Sequence, residues 1–282
     1  MTTLGIGIVT FNRRETVRET VRRVRGLTTH VPSMIVVADD GSTDGTQFML
    51  RAMGVPYVTG QNMGVAWNKN RALYLLNARL RCDVTILLED DTYPTSAGWE
   101  QPWIEAAQIM GHANLAGHWL RDYFESGSGS ATDPILSRNV TAQCSVYSAA
   151  ALERAGYFDS RFRGYGHEHV EHSARMVRLG FGGTSDHGDV TWHLISGQFE
   201  GAATESFGSP EEVERNRQIA DDLMQDQTYR AAWRNDREMR QFLGEIDGAV
   251  IPSDNGFALR TYKPGANNLV GLNWPPGEPV VA

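Results

Sequence analysis

The sequence predicts an α/β fold with a mainly parallel central sheet flanked by helices. Three observations carry this. Short apolar, β-branched runs alternate with helical patterns through the N-terminal third of the chain. The chain has 282 residues, enough for one large domain with its own core. Three of the apolar runs end on polar residues, at the strand ends where open α/β sheets bind ligands.

The elements follow in order. Leu4 to Thr10 reads as a buried strand, and Arg14 to Arg25 as an amphipathic helix carrying Val17, Val21 and Val24. Met34 to Ala38 is a second strand, broken by Asp39-Asp40-Gly41-Ser42, after which Thr43 or Asp44 caps a helix through Met53. Val55 to Thr59 is a third strand, Val65 to Ala78 a helix, and Val84 to Leu88 a fourth strand ending on Glu89-Asp90-Asp91. Beyond it the pattern is less regular. Trp99 to Met110 is helical, and Ser126 to Pro134 is a flexible Gly/Ser loop of the kind that forms a mobile lid. Val140 to Tyr147 is a strand, Ala149 to Ala155 and His172 to Leu179 are helices, and Val190 to Leu194 is a strand. Pro210 to Leu243 is helical in pattern, and from Gly244 the chain reads as an extended Gly/Pro-rich tail.

Composition excludes several classes. The charged fraction of 21% and hydrophobic fraction of 41% suit a globular protein, and no apolar run has the length of a membrane span. The N-terminal residues lack a signal-peptide pattern, so a cytoplasmic location without integral membrane association is expected. The net charge of −8 argues against a nonspecific nucleic-acid binder. Cys82 and Cys144 are too few and too far apart for a disulfide framework.

Five segments carry candidate chemistry. In VVADDGSTDGT a carboxylate of Asp39 or Asp40 can accept a uracil imide N–H, although Asp-Gly alone reads equally as a turn. In QNMGVAWNKN, Lys69 is one of only two lysines, the other being Lys263, and can reach a diphosphate or base. In ILLEDDTYP three adjacent acids repel one another unless a cation or solvent compensates, and a hard divalent ion takes carboxylate oxygens while keeping positions for phosphate. GYGHEHVEHSARMVRLGF places three histidines and two glutamates at a helix start. A zinc-protease motif fails there, because the required histidines are replaced by Glu171 in one reading and Glu168 in the reversed one. Glu168 or His169 can instead act as a general base. In DVTWHL the lone His193 gains meaning only beside the acidic triplet.

Six segments, IGIVTFNR, VVADDGSTDGT, NMGVAWNKN, LLEDDTYP, AGYFDSRF and GYGHEHVEHSARMVRLGF, occur in an order that resembles the family 2 glycosyltransferases and their GT-A relatives, over Leu4 to Leu194. The resemblance implies a GT-A fold and hexosyl transfer from a nucleotide-sugar, with UDP as the carrier, assisted by Mn2+ or Mg2+. It implies that Thr10, Asp39, Asp40, Lys69 and Asp90 bind the nucleotide, that Asp91 is the main metal ligand, and that His193 is a further one. The GYGHEH segment resembles the Gly-x-Glu-Asp region of galactosyltransferase-like members, whose base is the aspartate. Here that place holds His169, preceded by Glu168. The resemblance implies inversion, with Glu168 favoured as base because a carboxylate is ionised at neutral pH, and His169 orienting the acceptor. The expected organisation is a glycosyltransferase domain over 1–205, with a nucleotide half 1–98 and an acceptor half 99–205, a helical extension 206–243, and a tail 244–282. The acceptor stays open among a saccharide, a glycan, a lipid-linked sugar and a modified DNA nucleobase. The competing functions are a non-catalytic nucleotide-sugar or glycan-binding module of the same fold and a nucleotidyltransferase; the latter lacks its glycine-rich phosphate loop, since Gly5 and Gly7 lie inside a strand.

Overall fold

The computed structural model describes residues 2–201 and 208–252. Its first part alternates strictly: β1 (Leu4–Thr10), α1 (Arg14–Leu27), β2 (Ser33–Asp39), α2 (Thr46–Ala52), β3 (Tyr57–Thr59), α3 (Val65–Leu73) and β4 (Val84–Glu89). A π-helical segment, Tyr74–Arg79, prolongs α3. These strands pair in parallel in the order β3-β2-β1-β4. The remaining elements are β5 (Thr92–Pro94), α4 (Gln101–Met110), β6 (His112–Leu115), β7 (Phe124–Ser126), β8 (Ile135–Ser137), β9 (Cys144–Ser148), α5 (Ala149–Ala155), α6 (Glu168–Arg178), β10 (Gly183–Asp186), β11 (Asp189–Ile195), β12 (Phe199–Gly201), α7 (Pro210–Leu223) and α8 (Asp236–Asp247). The sheet turns mixed where β9 inserts antiparallel between β4 and β6, and it continues through β11, β8 and β7. This is the α/β class expected, with the parallel pairing concentrated in the N-terminal half.

Two apolar layers enclose the sheet. Leu4, Ile6 and Ile8 of β1 pack with Val17, Val21 and Val24 of α1 and Trp103 of α4. The period-2 alternation of the strand turns Gly5, Gly7 and Val9 to the opposite face, towards α3. There a Cβ on Gly7 would lie 2.9 Å from Ala72 Cβ, and one on Gly5 3.0 Å from Cys82 Sγ. The strand glycines therefore let α3 lie close against the sheet, which sets the height of the polar residues that α3 carries. Cys82 and Cys144 are buried free thiols. No helix among the described residues is long and apolar enough to cross a membrane.

The C-terminal half departs from the sequence pattern in four places. The strand expected from Val140 begins at Cys144, and α6 starts four residues earlier than expected, at Glu168 instead of His172. The Gly/Ser run is a folded turn. Gly129 N–H donates to the Asp133 carbonyl at 2.9 Å, Ser196 N–H donates to the Gly129 carbonyl at 2.8 Å, and Ala131 is buried. Backbone groups with partners of this kind tie the turn to the end of β11 and remove the reason to expect an open lid. Finally, α8 runs past Leu243 to Asp247, and Val250 bridges to Tyr57, so the first residues of the expected tail belong to the domain. The rest of that tail, 253–282, lies outside the described residues.

Candidate active site

The carboxyl ends of β1, β2 and β4 bring Thr10, Asp39-Asp40 and Glu89-Asp90-Asp91 to one edge of the sheet. α3 crosses behind that edge and is fastened to it by Asn68, whose Nδ2 donates to the carbonyls of Ala38 at 2.9 Å and Thr10 at 3.2 Å. The N-terminus of α3 is set by a second contact. Gly64 has φ +93°, and a Cβ there would collide with the backbone nitrogen of Gly164. Val65 N–H donates to the Gly164 carbonyl at 3.1 Å. Glycine at 64 thus allows the loop before α6 to meet α3, and this brings Glu168 to Lys69.

Asp39 and Asp40 are both buried, and their carboxylates are engaged within the chain. Asp39 accepts from Gln47 Nε2 and Thr59 Oγ1, both at 2.9 Å. Asp40 accepts from Met63 N–H at 3.0 Å, Gly64 N–H at 2.8 Å and Arg71 Nη1 at 2.6 Å. Burial pushes the Asp40 carboxyl up, against the pull of Arg71 and of these two amides. Arg71 is wholly buried and also donates to Glu245 of α8 at 3.0 Å and to the Gln61 carbonyl at 2.7 Å. In this arrangement the two aspartates brace the turns that form the wall of the edge.

Lys69 is likewise engaged within the chain. Its side chain is 1% exposed, and Nζ donates to Glu168 at 2.9 Å and Glu89 at 3.3 Å. Burial alone would depress its amine, but Glu168 and then Glu89 outweigh that and hold it above its ordinary value. Burial would likewise raise Glu168, yet Lys69, helped by His169, holds its carboxyl well below the usual carboxylate range. A carboxylate held so firmly ionised is a weak proton acceptor. Glu168 is thus engaged by Lys69, and the proton acceptor stays open between Glu168 and His169. His169 Nδ1 lies 3.6 Å from Glu168 Oε1, and its side chain is 24% exposed. Two other members of the cluster point into the core: His172 Nε2 meets the Gly156 carbonyl at 3.0 Å and stacks on Phe158, while Glu171 pairs with the buried Arg175.

At the end of β4, Asp90 and Asp91 converge on one cationic group. Arg13 Nη1 donates to Asp90 Oδ1 at 3.0 Å and to Asp91 Oδ2 at 2.9 Å, and Thr10 Oγ1 donates to Asp90 Oδ2 at 2.6 Å. Burial pushes Asp90 up to about 7; Thr10 and Arg13 pull against this, and Asp91 adds to the rise. Sequence reasoning passed over both Arg13 and Arg71. Arg13 stood inside a quoted segment, IGIVTFNR, and Arg71 directly after another, NMGVAWNKN, and the excess of carboxylates at these strand ends was the available signal for buried cationic partners.

The structure does not bring His193 to this place. Through the strand pairings, Leu194 on β11 is level with Asn114, Ser145 and Leu87, so His193 stands level with Ile86, five residues before Asp91. Three strand spacings separate β11 from β4, about 14 Å sideways. His193 shares its strand face with Ile195, which packs in the layer of Trp103 and Leu115. Among the described residues no group of three or more His, Cys, Asp or Glu side chains could hold a metal ion. In this structure His193 and Asp91 stand apart, and their sharing of one ion stays an expectation: a histidine after a strand does not reveal in sequence how many strands lie between it and its supposed partner.

Comparison with known proteins agrees with this architecture. The chain matches the model of glycosyl transferase family 2 over residues 6–176, more than half its length. Among solved structures it is similar to GalNAc-T7 with UDP, GalNAc and Mn2+, at TM-score 0.54 and 14% identity, covering 79% of this chain and 48% of that one. It is similar to S. aureus TarS at TM-score 0.53 and 14% identity, covering 87% and 43%. A mannosyltransferase from Pyrobaculum calidifontis, in complex with GDP-Man and Mn2+, gives TM-score 0.49 at 15% identity, and the chain spans about half of its length, 54%. Among curated protein sequences nothing matches. At these identities the solved structures speak for the fold. The chain belongs to glycosyl transferase family 2 and has a GT-A-like fold.

Proposed function

We propose that this family 2 glycosyltransferase moves a sugar from a nucleotide-sugar, with UDP as the carrier, to an acceptor hydroxyl in a reaction that depends on a divalent metal ion. The observation that carries this reading is the Asp90–Asp91 pair, which closes on a single positive centre at the carboxyl end of β4. Two carboxylates converging on a guanidinium nitrogen form a donor set of hard oxygens, which suits Mn2+ or Mg2+. The ion, when bound to Asp91 and Asp90, supplies charge stabilisation for the diphosphate leaving group. With two carboxylates as the ligands found, its other positions are left to phosphate oxygens and water. Thr10 fixes the Asp90 carboxylate from one side, and Thr20 Oγ1 donates to the Asp90 carbonyl, so the pair is held rigid before any donor arrives. Asp39 and Asp40 contribute by fixing the walls of the nucleotide side, and Lys69 by holding Glu89 and Glu168 in place.

For the acceptor half, His169 takes the proton of the attacking hydroxyl and Glu168 orients it. An imidazole is the one side chain whose ordinary titration lies between pH 5 and 8. Glu168, held in place by Lys69, lies 3.6 Å from His169 Nδ1 and is placed to orient the ring. The reading implies inversion at the transferred carbon. The fit of a saccharide acceptor is better than that of DNA, because the net charge is −8 and repels a polyanion.

The decisive experiment is Asp91→Ala, followed by calorimetry with UDP and Mn2+ together. Loss of one of two ligands should weaken metal-dependent UDP binding by about 100-fold, roughly 2.7 kcal/mol, with the thermal midpoint unchanged. Equal affinity in the variant and the parent removes the metal site from this place.

A further inference from the structure

The arginine between the two aspartates has a specific consequence, which rests on the metal-binding reading above. Arg13 meets both carboxylates through one nitrogen, Nη1, at 3.0 and 2.9 Å. A hard divalent ion held by both carboxylates would need the space in front of their oxygens that Nη1 now fills. Two positive groups cannot share that position. We propose that Arg13 is a built-in competitor for the metal: its guanidinium occupies Asp90 and Asp91 until the ion displaces it, and the displaced guanidinium is then matched to the diphosphate that arrives with the ion.

Three features support a side chain that moves and does not merely brace. Arg13 is 21% exposed at its side chain, whereas Arg71, another cation on this edge, is wholly buried and held by Asp40, Glu245, Asn68 and Gln61. The backbone at the pivot is fixed: the Arg13 carbonyl accepts Val17 N–H at 3.0 Å, and the neighbouring Asn12 N–H donates to Ser42 Oγ at 2.7 Å. Arg13 also lines a shallow hollow of about 340 Å³ with Asn12, Arg14 and Asp44, space that a displaced side chain could take up. The planar fork of a guanidinium fits a phosphate as well as a carboxylate, so the same group can exchange one anion for the other.

Such an exchange couples the two ligands. Uptake of the metal alone leaves Arg13 without its carboxylates, while uptake of metal with a diphosphate gives it a new partner. Nucleotide and metal should therefore strengthen each other's binding by the same factor.

The test is titration with Mn2+ alone, read by the electron paramagnetic resonance of the free ion, on the parent, R13Q and R13K, then repeated with saturating UDP. R13Q should bind Mn2+ without nucleotide at least about tenfold more tightly than the parent, and UDP should raise its Mn2+ affinity by a smaller factor than in the parent. R13K keeps the charge with fewer donors and should fall between them, and it carries the test if circular dichroism shows R13Q unfolded. Mn2+ affinity in a folded R13Q equal to or weaker than the parent's, with the UDP factor unchanged, overturns the proposal; in R13K, parental values for both do the same. If neither the parent nor R13Q binds Mn2+ at all, the proposal falls together with the metal reading, so the two failures are distinguishable.

Discussion

Replacing Lys69 by methionine removes the one cation between two buried or half-buried carboxylates while keeping the length and most of the volume of the side chain. In the folded protein Lys69 is 1% exposed at its side chain, and its partner Glu168 is 5% exposed. Breaking a buried pair by deleting one partner costs about 3–5 kcal/mol, because the other charge is left without compensation. For a domain of this size each kcal/mol moves the thermal midpoint by roughly 2–4 °C, so Lys69→Met should lower it by roughly 6–20 °C near neutral pH. The pH dependence has a definite sign. The depressed carboxyl of Glu168 contributes stability that is present above its unfolded value of about 4.5 and is lost as pH falls towards its folded value. The raised amine of Lys69 contributes below its unfolded value of 10.5 and loses that only as pH climbs through the folded value. The difference between parent and variant should therefore form a plateau from about pH 5 to 10 and shrink on the acid side, where Glu168 in the variant is protonated. Urea unfolding at pH 7.5 and pH 4 measures it. A difference below about 1 kcal/mol at pH 7.5, or one equal at both pH values, refutes the ion-pair reasoning. A variant that keeps its stability but loses UDP affinity would restore Lys69 to the nucleotide, as the sequence first suggested.

His169→Asn should reduce kcat by about 10²–10⁴-fold with UDP affinity unchanged, the loss typical of a missing general base, whereas Glu168→Gln should reduce it less and also lower stability; normal turnover by the His169 variant, scored by sugar release from the donor, sinks the assignment. Gly64→Ala places a Cβ against Gly164 at φ +93°, so it should cost on the order of 1–3 kcal/mol in urea unfolding and weaken UDP binding, and an unchanged unfolding midpoint would show that the α3 contact with the loop before α6 does not set the site.

How much of this was legible beforehand depends on how far each signal travels along the chain. The strands Leu4–Thr10, Ser33–Asp39 and Val84–Glu89 announced themselves as apolar runs, and their polar ends named the edge of the sheet where the candidate site lies, because periodicity and strand-end chemistry are local. The acidic triplet and the Glu168–His169 pair were visible for the same reason. Direction and partnership were not. Whether Lys69 faces a cleft or a pair of glutamates is decided by a residue 99 positions away. That Arg13 sits between Asp90 and Asp91 follows from the adjacent parallel placing of β1 and β4, and that His193 lies far from Asp91 follows from two strands, β9 and β6, inserted between theirs. Sequence determines which side chains stand at the ends of elements, because each element is built from neighbours along the chain; only the tertiary structure decides which charges meet, because burial forces every charge removed from water to find a partner wherever the packed elements bring one near.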